Sequence, residues 1–241
     1  MWCEQVVVNS HDCDENRVLR PTGLFRMVQE AAYFHTRSVG QDETDMRRAG
    51  KAYIVSTIGI DVKKPIMMND RLEVRTWEAN SSGVKYLRYY SILRDGEEVA
   101  LGTCVCAMID INTGKFIRVV DCGYDFSREG ESRTPSLDSR AAIRGNLDYK
   151  YVGDFNVVYS YIDRNHHMNN TCYADMLYSA IPDCNKKAMS AIAISYLHQA
   201  RLGDKLKLYV AESDGKYYVK SVLADGNVNA AAVITANDVQ S

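Results

Sequence analysis

Asp163, Asn165 and His167 stand at alternate positions in the run DRNHHMNN. In an extended or looped segment alternate side chains point to one side, so a carboxylate, a carboxamide and an imidazole can face a common pocket. An imidazole changes charge near neutral pH and can handle a proton, and a carboxamide N–H can hold a developing oxyanion. Asn170 or Thr171 can cap a helix that begins there, and that helix's unpaired N–H groups would supply further donors. Hydrolysis of an ester or thioester needs this set, and losing one oxyanion donor typically costs ~2.7–4 kcal/mol of transition-state stabilisation. The same residues also suit an Asx-type turn with solvated histidines. No metal is expected: His166 and His167 are adjacent, no Cys, Glu or further His has ligand spacing to them, and His198 would have to arrive from a strand.

The elements that must position these groups occur twice. CEQVVVNS, a polar loop and the helical run LFRMVQEAAYFHTRSVG are followed much later by FNVVYSYI, the loop DRNHHMNN and TCYADMLYSAI. Leu24, Met27, Val28, Ala31 and Phe34 recur at helical spacing, with Pro21 near the start and Gly40 at the end. Tyr173, Met176, Leu177 and Ala180 mark a shorter second helix closed by Pro182. The strands match too: IGIDVKKPIMMNDRLEVRTW lies over IAISYLHQARLGDKLKLYVA, which sets Asp70 against Asp204. Asp95-Gly96 and Asp225-Gly226 are each expected to make a type I′ hairpin turn. Two copies of one α+β unit are expected, residues 1–120 and 151–241, each a bent antiparallel sheet with a helix on its concave face, joined by a polar linker over 121–150. The loops differ in one respect: Asp14-Glu15-Asn16 parallels Asp163-Arg164-Asn165, but Val18 stands where the second copy has His167, so chemistry is expected in the second copy.

Bulk properties exclude several classes. The 241 residues carry a formal net charge of −2 and are 46% hydrophobic, which gives no sign of a nucleic-acid binder or a polybasic membrane protein. Neither a leader nor an apolar run of membrane-spanning length is apparent, so a cytoplasmic protein is expected. The seven cysteines include no C-x-x-C pair and are read as reduced thiols.

Asp163, Asn165, His167, Asn169, Asn170 and Tyr173 together fill the pattern D-x-N-x-H-x-N-N-x-x-Y, and in this the chain resembles the acyl-acyl carrier protein thioesterases of plants and bacteria. GKAYIVSTIGIDVKKPIMMNDRLEVRTW, SGVKYLRYY and the Asp95-Gly96 turn extend the resemblance over nearly the whole chain. It implies a tandem hotdog fold and hydrolysis of fatty acyl-acyl carrier protein to free fatty acid, with no cofactor. Asn165 and His167 match the family's catalytic pair, and Asp163 the partner that orients the pair or polarises the site. Gln199, in Tyr196-Leu197-His198-Gln199-Ala200, stands where the family usually has a glutamate proposed to activate water, and Ala200 where some members have a cysteine. Water is therefore the expected nucleophile, with His167 or Asp163 as base and Gln199 positioning water or carbonyl; Cys172 is a less favoured nucleophile.

The resemblance further implies that the first unit lines the acyl tunnel, through Phe25, Met27, Val28 and Phe34 or, on the plainer reading, that these are core. Asn170 and Tyr173 are expected at the substrate. The acidic carrier protein would meet Arg47-Arg48, Lys63-Lys64 or Lys186-Lys187, and a monomer or homodimer both fit. An acyl-coenzyme A hydrolase of the same fold and a non-catalytic acyl-binding protein, the latter motivated by Gln199, are the alternatives.

Overall fold

The computed structural model describes residues 1–125, 131–138 and 146–238. Its strands are β1 (Trp2–Val7), β2 (Lys51–Val62), β3 (Arg71–Glu78), β4 (Tyr86–Arg94), β5 (Glu97–Asp110), β6 (Phe116–Ile117), β7 (Lys150–Asn156), β8 (Lys187–Tyr196), β9 (Lys205–Ser213), β10 (Lys216–Val222) and β11 (Val228–Asp238). The helices are α1 (Pro21–Ser38), α2 (Glu43–Arg48) and α3 (Cys172–Tyr178). A single antiparallel sheet runs β1-β3-β4-β5-β2-β8-β11-β10-β9-β7, with β6 on β5. The order reads the same from both ends, as a duplicated unit requires, and the halves join where β2 meets β8, with Gly59 opposite Ala193 and Ile60 opposite Ile192. This is the α+β tandem hotdog, each half a curved sheet wrapped around its helix. Among the described residues no helix is long and apolar enough to cross a membrane.

Helix α1 forms where Pro21, whose fixed φ suits a first turn, opens a run with Leu24, Phe25, Met27, Val28 and Ala31 buried on one stripe. It stops at Val39, and Gly40 takes the left-handed conformation (φ 78°) that releases the chain. Helix α3 buries Tyr173, Ala174, Met176 and Leu177. The two helices meet through equivalent threonines: the Thr22 amide donates to Asp175 at 2.7 Å and the Thr22 hydroxyl to the Thr171 carbonyl at 3.0 Å. One apolar cluster therefore spans both halves, from Leu24 and Ile60 to Leu177 and Ile194.

Two expectations need correction. The strand before the second loop is Lys150–Asn156, not the FNVVYSYI run: Tyr159–Tyr161 form a 3-10 turn, just as Ser10–Asp12 do in the first half. Asp95-Gly96 is a type I′ turn, with φ of 53° and 81°, whereas Asp225 keeps a negative φ and its carboxylate accepts from the Asn227 amide at 2.9 Å. The second such turn is instead Asp214-Gly215, with φ of 53° and 67°.

The expected linker over 121–150 includes 126–130 and 139–145, which lie outside the described residues. Its 131–138 portion is packed onto the sheet face away from the helices. The Trp77 indole donates to the Glu131 carbonyl (3.0 Å), Thr103 to that of Arg133 (3.1 Å), and Asp61 accepts from the Ser136 amide (2.7 Å). Leu137 closes over Ala191, Ala193, Ala231 and Tyr218. The central strands are thus covered on both faces, which explains the continuous buried run Ala230–Ile234 where alternation would otherwise be expected.

Candidate active site

The loop between Tyr161 and α3 is a tight turn, not an extended segment. The Asp163 amide donates to the His167 carbonyl (3.0 Å), the His166 amide to the Asp163 carbonyl (3.0 Å), and His166 is left-handed at φ 61°. The first half repeats the turn with Asp14, Arg17 (φ 64°) and Val18. In both copies the aspartate holds the turn through its own carboxylate, Asp14 accepting from the Asn16 amide at 2.9 Å and Asp163 from the Asn165 amide at 2.8 Å. The Asx-turn reading and the site reading of Asp163 are thus compatible, because the turn is what points Asn165 and His167 inward.

Asp163, Asn165 and His167 line one cavity of about 910 Å³, together with Asn170, Tyr173 and Gln199. His167 Nδ1 lies 3.2 Å from the Met168 carbonyl. A carbonyl only accepts, so Nδ1 carries the hydrogen and Nε2 keeps its lone pair. Asp163 Oδ1 is 3.9 Å from Nδ1, too far for a hydrogen bond but close enough to stabilise an imidazolium. Arg47 donates to Asn165 Oδ1. Since a guanidinium has no acceptor, the carboxamide oxygen is committed to it and the Asn165 NH₂ group must face elsewhere. Arg47 is held in turn by Glu43 at 3.1 Å, and Glu43 also pairs with Arg164.

The start of α3 supplies fewer free amides than expected of it. Asn169, not Asn170 or Thr171, makes the cap: its Oδ1 accepts from the Thr171 amide and hydroxyl, both at 2.9 Å. The Cys172 and Ala174 amides are taken by the Asn169 and Thr171 carbonyls. Carboxamide side chains, Asn165 foremost, line the cavity as donors for an oxyanion. Asn170 faces the cavity while its carbonyl accepts from the Tyr196 hydroxyl at 2.9 Å. Burial pushes the Cys172 thiol up, away from the thiolate a nucleophile needs.

Of the four residues expected along the tunnel, Phe25 lines the cavity. Met27 and Val28 do not, being turned into the core between helix and sheet. Phe34 lies on the outer side of α1, 39% exposed and stacked on Trp2 with centroids 5.9 Å apart. Gln199 borders the cavity from an exposed segment. His198 also borders the cavity, and its Nδ1 lies 2.8 Å from the Val228 carbonyl.

Two positioning residues escape a reading of spacing alone. Arg47 belongs to α2, a helix signalled only by the capping Asp42, whose carboxylate accepts from the Thr44 amide at 2.9 Å. Asn229 is fully buried in β11, where it donates to the Tyr173 hydroxyl at 3.2 Å and to the His198 carbonyl. Its own carbonyl accepts from the Leu197 and His198 amides, both at 3.0 Å, so it fixes the segment that carries Gln199. An asparagine inside the apolar run VNAAAVI was its one sequence signal.

Comparison with known proteins identifies the family. The family model for the acyl-ACP thioesterase N-terminal domain matches residues 2–125, and that for the C-terminal domain matches 146–237. An oleoyl-acyl carrier protein thioesterase of Arabidopsis thaliana is 23% identical over 222 residues, covering 83% of this chain and 61% of its own length. A dodecanoyl-[acyl-carrier-protein] hydrolase of Cinnamomum camphora is 20% identical, covering 86% and 58%. The chain thus spans about 60% of the length of the curated relatives it matches. The crystal structure of an acyl-ACP thioesterase from Bacteroides thetaiotaomicron superposes with a TM-score of 0.81 over 98% of this chain and 97% of that one, at 21% identity. With both halves matched in order, the chain belongs to the acyl-ACP thioesterase family.

Proposed function

We propose that this protein hydrolyses fatty acyl thioesters carried on the phosphopantetheine arm of acyl carrier protein, releasing free fatty acid and the carrier thiol. The observation that carries the reading is the convergence of His167 and Asn165 on one cavity beside Asp163. With Nδ1–H committed to the Met168 carbonyl, His167 Nε2 takes a proton from water as the water adds to the thioester carbonyl. The Asn165 NH₂ group, its oxygen held by Arg47, donates to the oxyanion as it forms. Collapse expels the thiolate, which receives the proton from the imidazolium, while Asp163 stabilises that cation from 3.9 Å. Gln199 donates and accepts but moves no proton at neutral pH, so its role is to orient the water or the carbonyl. The first half supplies most of the acyl cavity and the second the reacting groups. A reducing, cytoplasmic setting fits the free thiols, among them Cys104 and Cys106, whose sulfurs share a hydrogen bond at 3.5 Å and no disulfide.

The test is release of free thiol from an acylated carrier. The intact chain turns it over, and His167→Ala lowers kcat by ~10²-fold or more, the usual scale for a lost general base. A variant as active as the parent refutes the role of His167. Binding of the acyl carrier without turnover by the parent chain would favour a non-catalytic acyl binder. Parallel kinetics on the matching coenzyme A thioester test the choice of carrier.

A further inference from the structure

Part of the cavity wall is not hydrocarbon. Arg88, in the middle of β4, is 6% exposed. Its Nη1 donates to His35 Nδ1 at 2.8 Å and to the Thr76 hydroxyl at 3.3 Å, and its Nη2 donates to Glu78. A guanidinium can only donate, so His35 meets it as a neutral imidazole with Nδ1 bare. Burial, reinforced by Arg88, accordingly pushes His35 down to about 4, and burial pushes Glu78 up. Arg88 and Glu78 both line the cavity, as do Gln41 and Tyr53. Gln41, 2% exposed, accepts from the Tyr53 hydroxyl at 2.8 Å, while its Nε2 has no acceptor among the described residues.

Arg88, the centre of this group, is set apart from the reacting end across the sheet. Tyr196 on β8 is bonded to the catalytic loop, and Arg88 on β4 is three strand-to-strand steps away through β2 and β5, roughly 14 Å across the sheet. A plain alkyl chain gains nothing from such a wall. Desolvating an ion pair largely offsets its attraction, and two apolar residues of similar size would serve folding as well and line the cavity better. An oxygen on the chain, by contrast, would find oriented donors already in place: Arg88 has five N–H groups and, among the described residues, three acceptors. Sites built to hydrogen-bond a substrate oxygen discriminate strongly against the analogue lacking it, whereas apolar pockets discriminate weakly.

We propose that the cavity takes acyl chains bearing an oxygen function, a hydroxyl or a ketone, toward the end remote from the thioester, in preference to plain alkyl chains of the same length. The proposal rests on the thioesterase reading above. Octanoyl, decanoyl and dodecanoyl groups, each beside its terminal-hydroxy and penultimate-oxo counterpart, are loaded on one acyl carrier protein. Turnover is measured with the wild type and with the charge-balanced double variant Arg88→Met/Glu78→Gln. At one length or more the wild type should show kcat/KM on the order of tenfold or more higher for the oxygenated chain, and the double variant should lose that difference. Equal or faster turnover of the plain chain at every length overturns the proposal and leaves the hydrolase reading standing, and these wild-type arms decide even if the variant fails to fold. If nothing is cleaved, the hydrolase reading falls. Calorimetry with the matching acyl-pantetheine amides then decides separately: tighter binding of the oxygenated amides upholds the cavity assignment, and equal binding overturns it.

Discussion

A guanidinium offers donors only, and that property fixes the orientation of two other groups. Beside Arg47, the Asn165 carboxamide must turn its oxygen outward and its NH₂ group away. Arg47→Met frees that carboxamide to rotate, so kcat should fall by about tenfold or more with a smaller change in KM, and Arg47→Lys should recover part of the loss; unchanged kcat would remove Arg47 from the positioning role. Beside Arg88, His35 stays neutral, its pKa lowered from 6.5 to about 4. The unfolded chain therefore binds a proton between those values that the folded chain does not, so this contribution to stability is full above pH 6.5 and is lost as pH falls toward 4. Glu78, pushed up by burial, acts in the opposite sense. His35→Gln should accordingly flatten the fall of melting temperature between pH 6.5 and 4 relative to the parent; an identical slope would sink this account. The D-x-N-x-H spacing made Asn165 and His167 legible in the sequence. Arg47 was not legible, because nothing in a linear pattern reports that a short helix in one half reaches a loop in the other.

The repeat was readable because helical and strand periodicities recur in the same order, and the pairing of Asp70 with Asp204 holds in detail: each carboxylate accepts an amide three residues before it, from Met67 at 2.8 Å and Arg201 at 2.7 Å. Hairpin turns were less readable, since one dipeptide serves two geometries. Asp95 sits at φ 53°, which strains any residue with a Cβ, whereas Asp225 uses its carboxylate to bind both nitrogens of Asn227 at 2.9 Å. Asp95→Gly should therefore leave the melting temperature unchanged or raise it, and Asp225→Gly should lower it. Equal effects would show that the two turns do not differ in this way. The extent of β7 is hidden for a related reason: Gly153-Asp154 looks like loop chemistry, yet pairing with β9 overrides local preference.

Composition hid the role of the 131–138 segment, which is polar and aperiodic yet crosses from β3 in the first half to β10 and β11 in the second. Leu137 is its anchor. Leu137→Ala should cost about 2 kcal/mol in denaturant unfolding while leaving kcat near the parent value; no loss of stability would mean that the segment lies on the sheet without holding it. The seam between β2 and β8 has a different result. Two separate modules would present four outer strands to their surroundings, and the merged sheet presents β1 and β7. Strand β1 is only six residues long, and β7 is interrupted by a register shift between Tyr151 and Gly153 and carries Asp154 paired with Lys205 at 2.8 Å. Short, kinked and charged borders make poor templates for a foreign strand, so joining both halves in one sheet also disfavours polymerisation through the backbone.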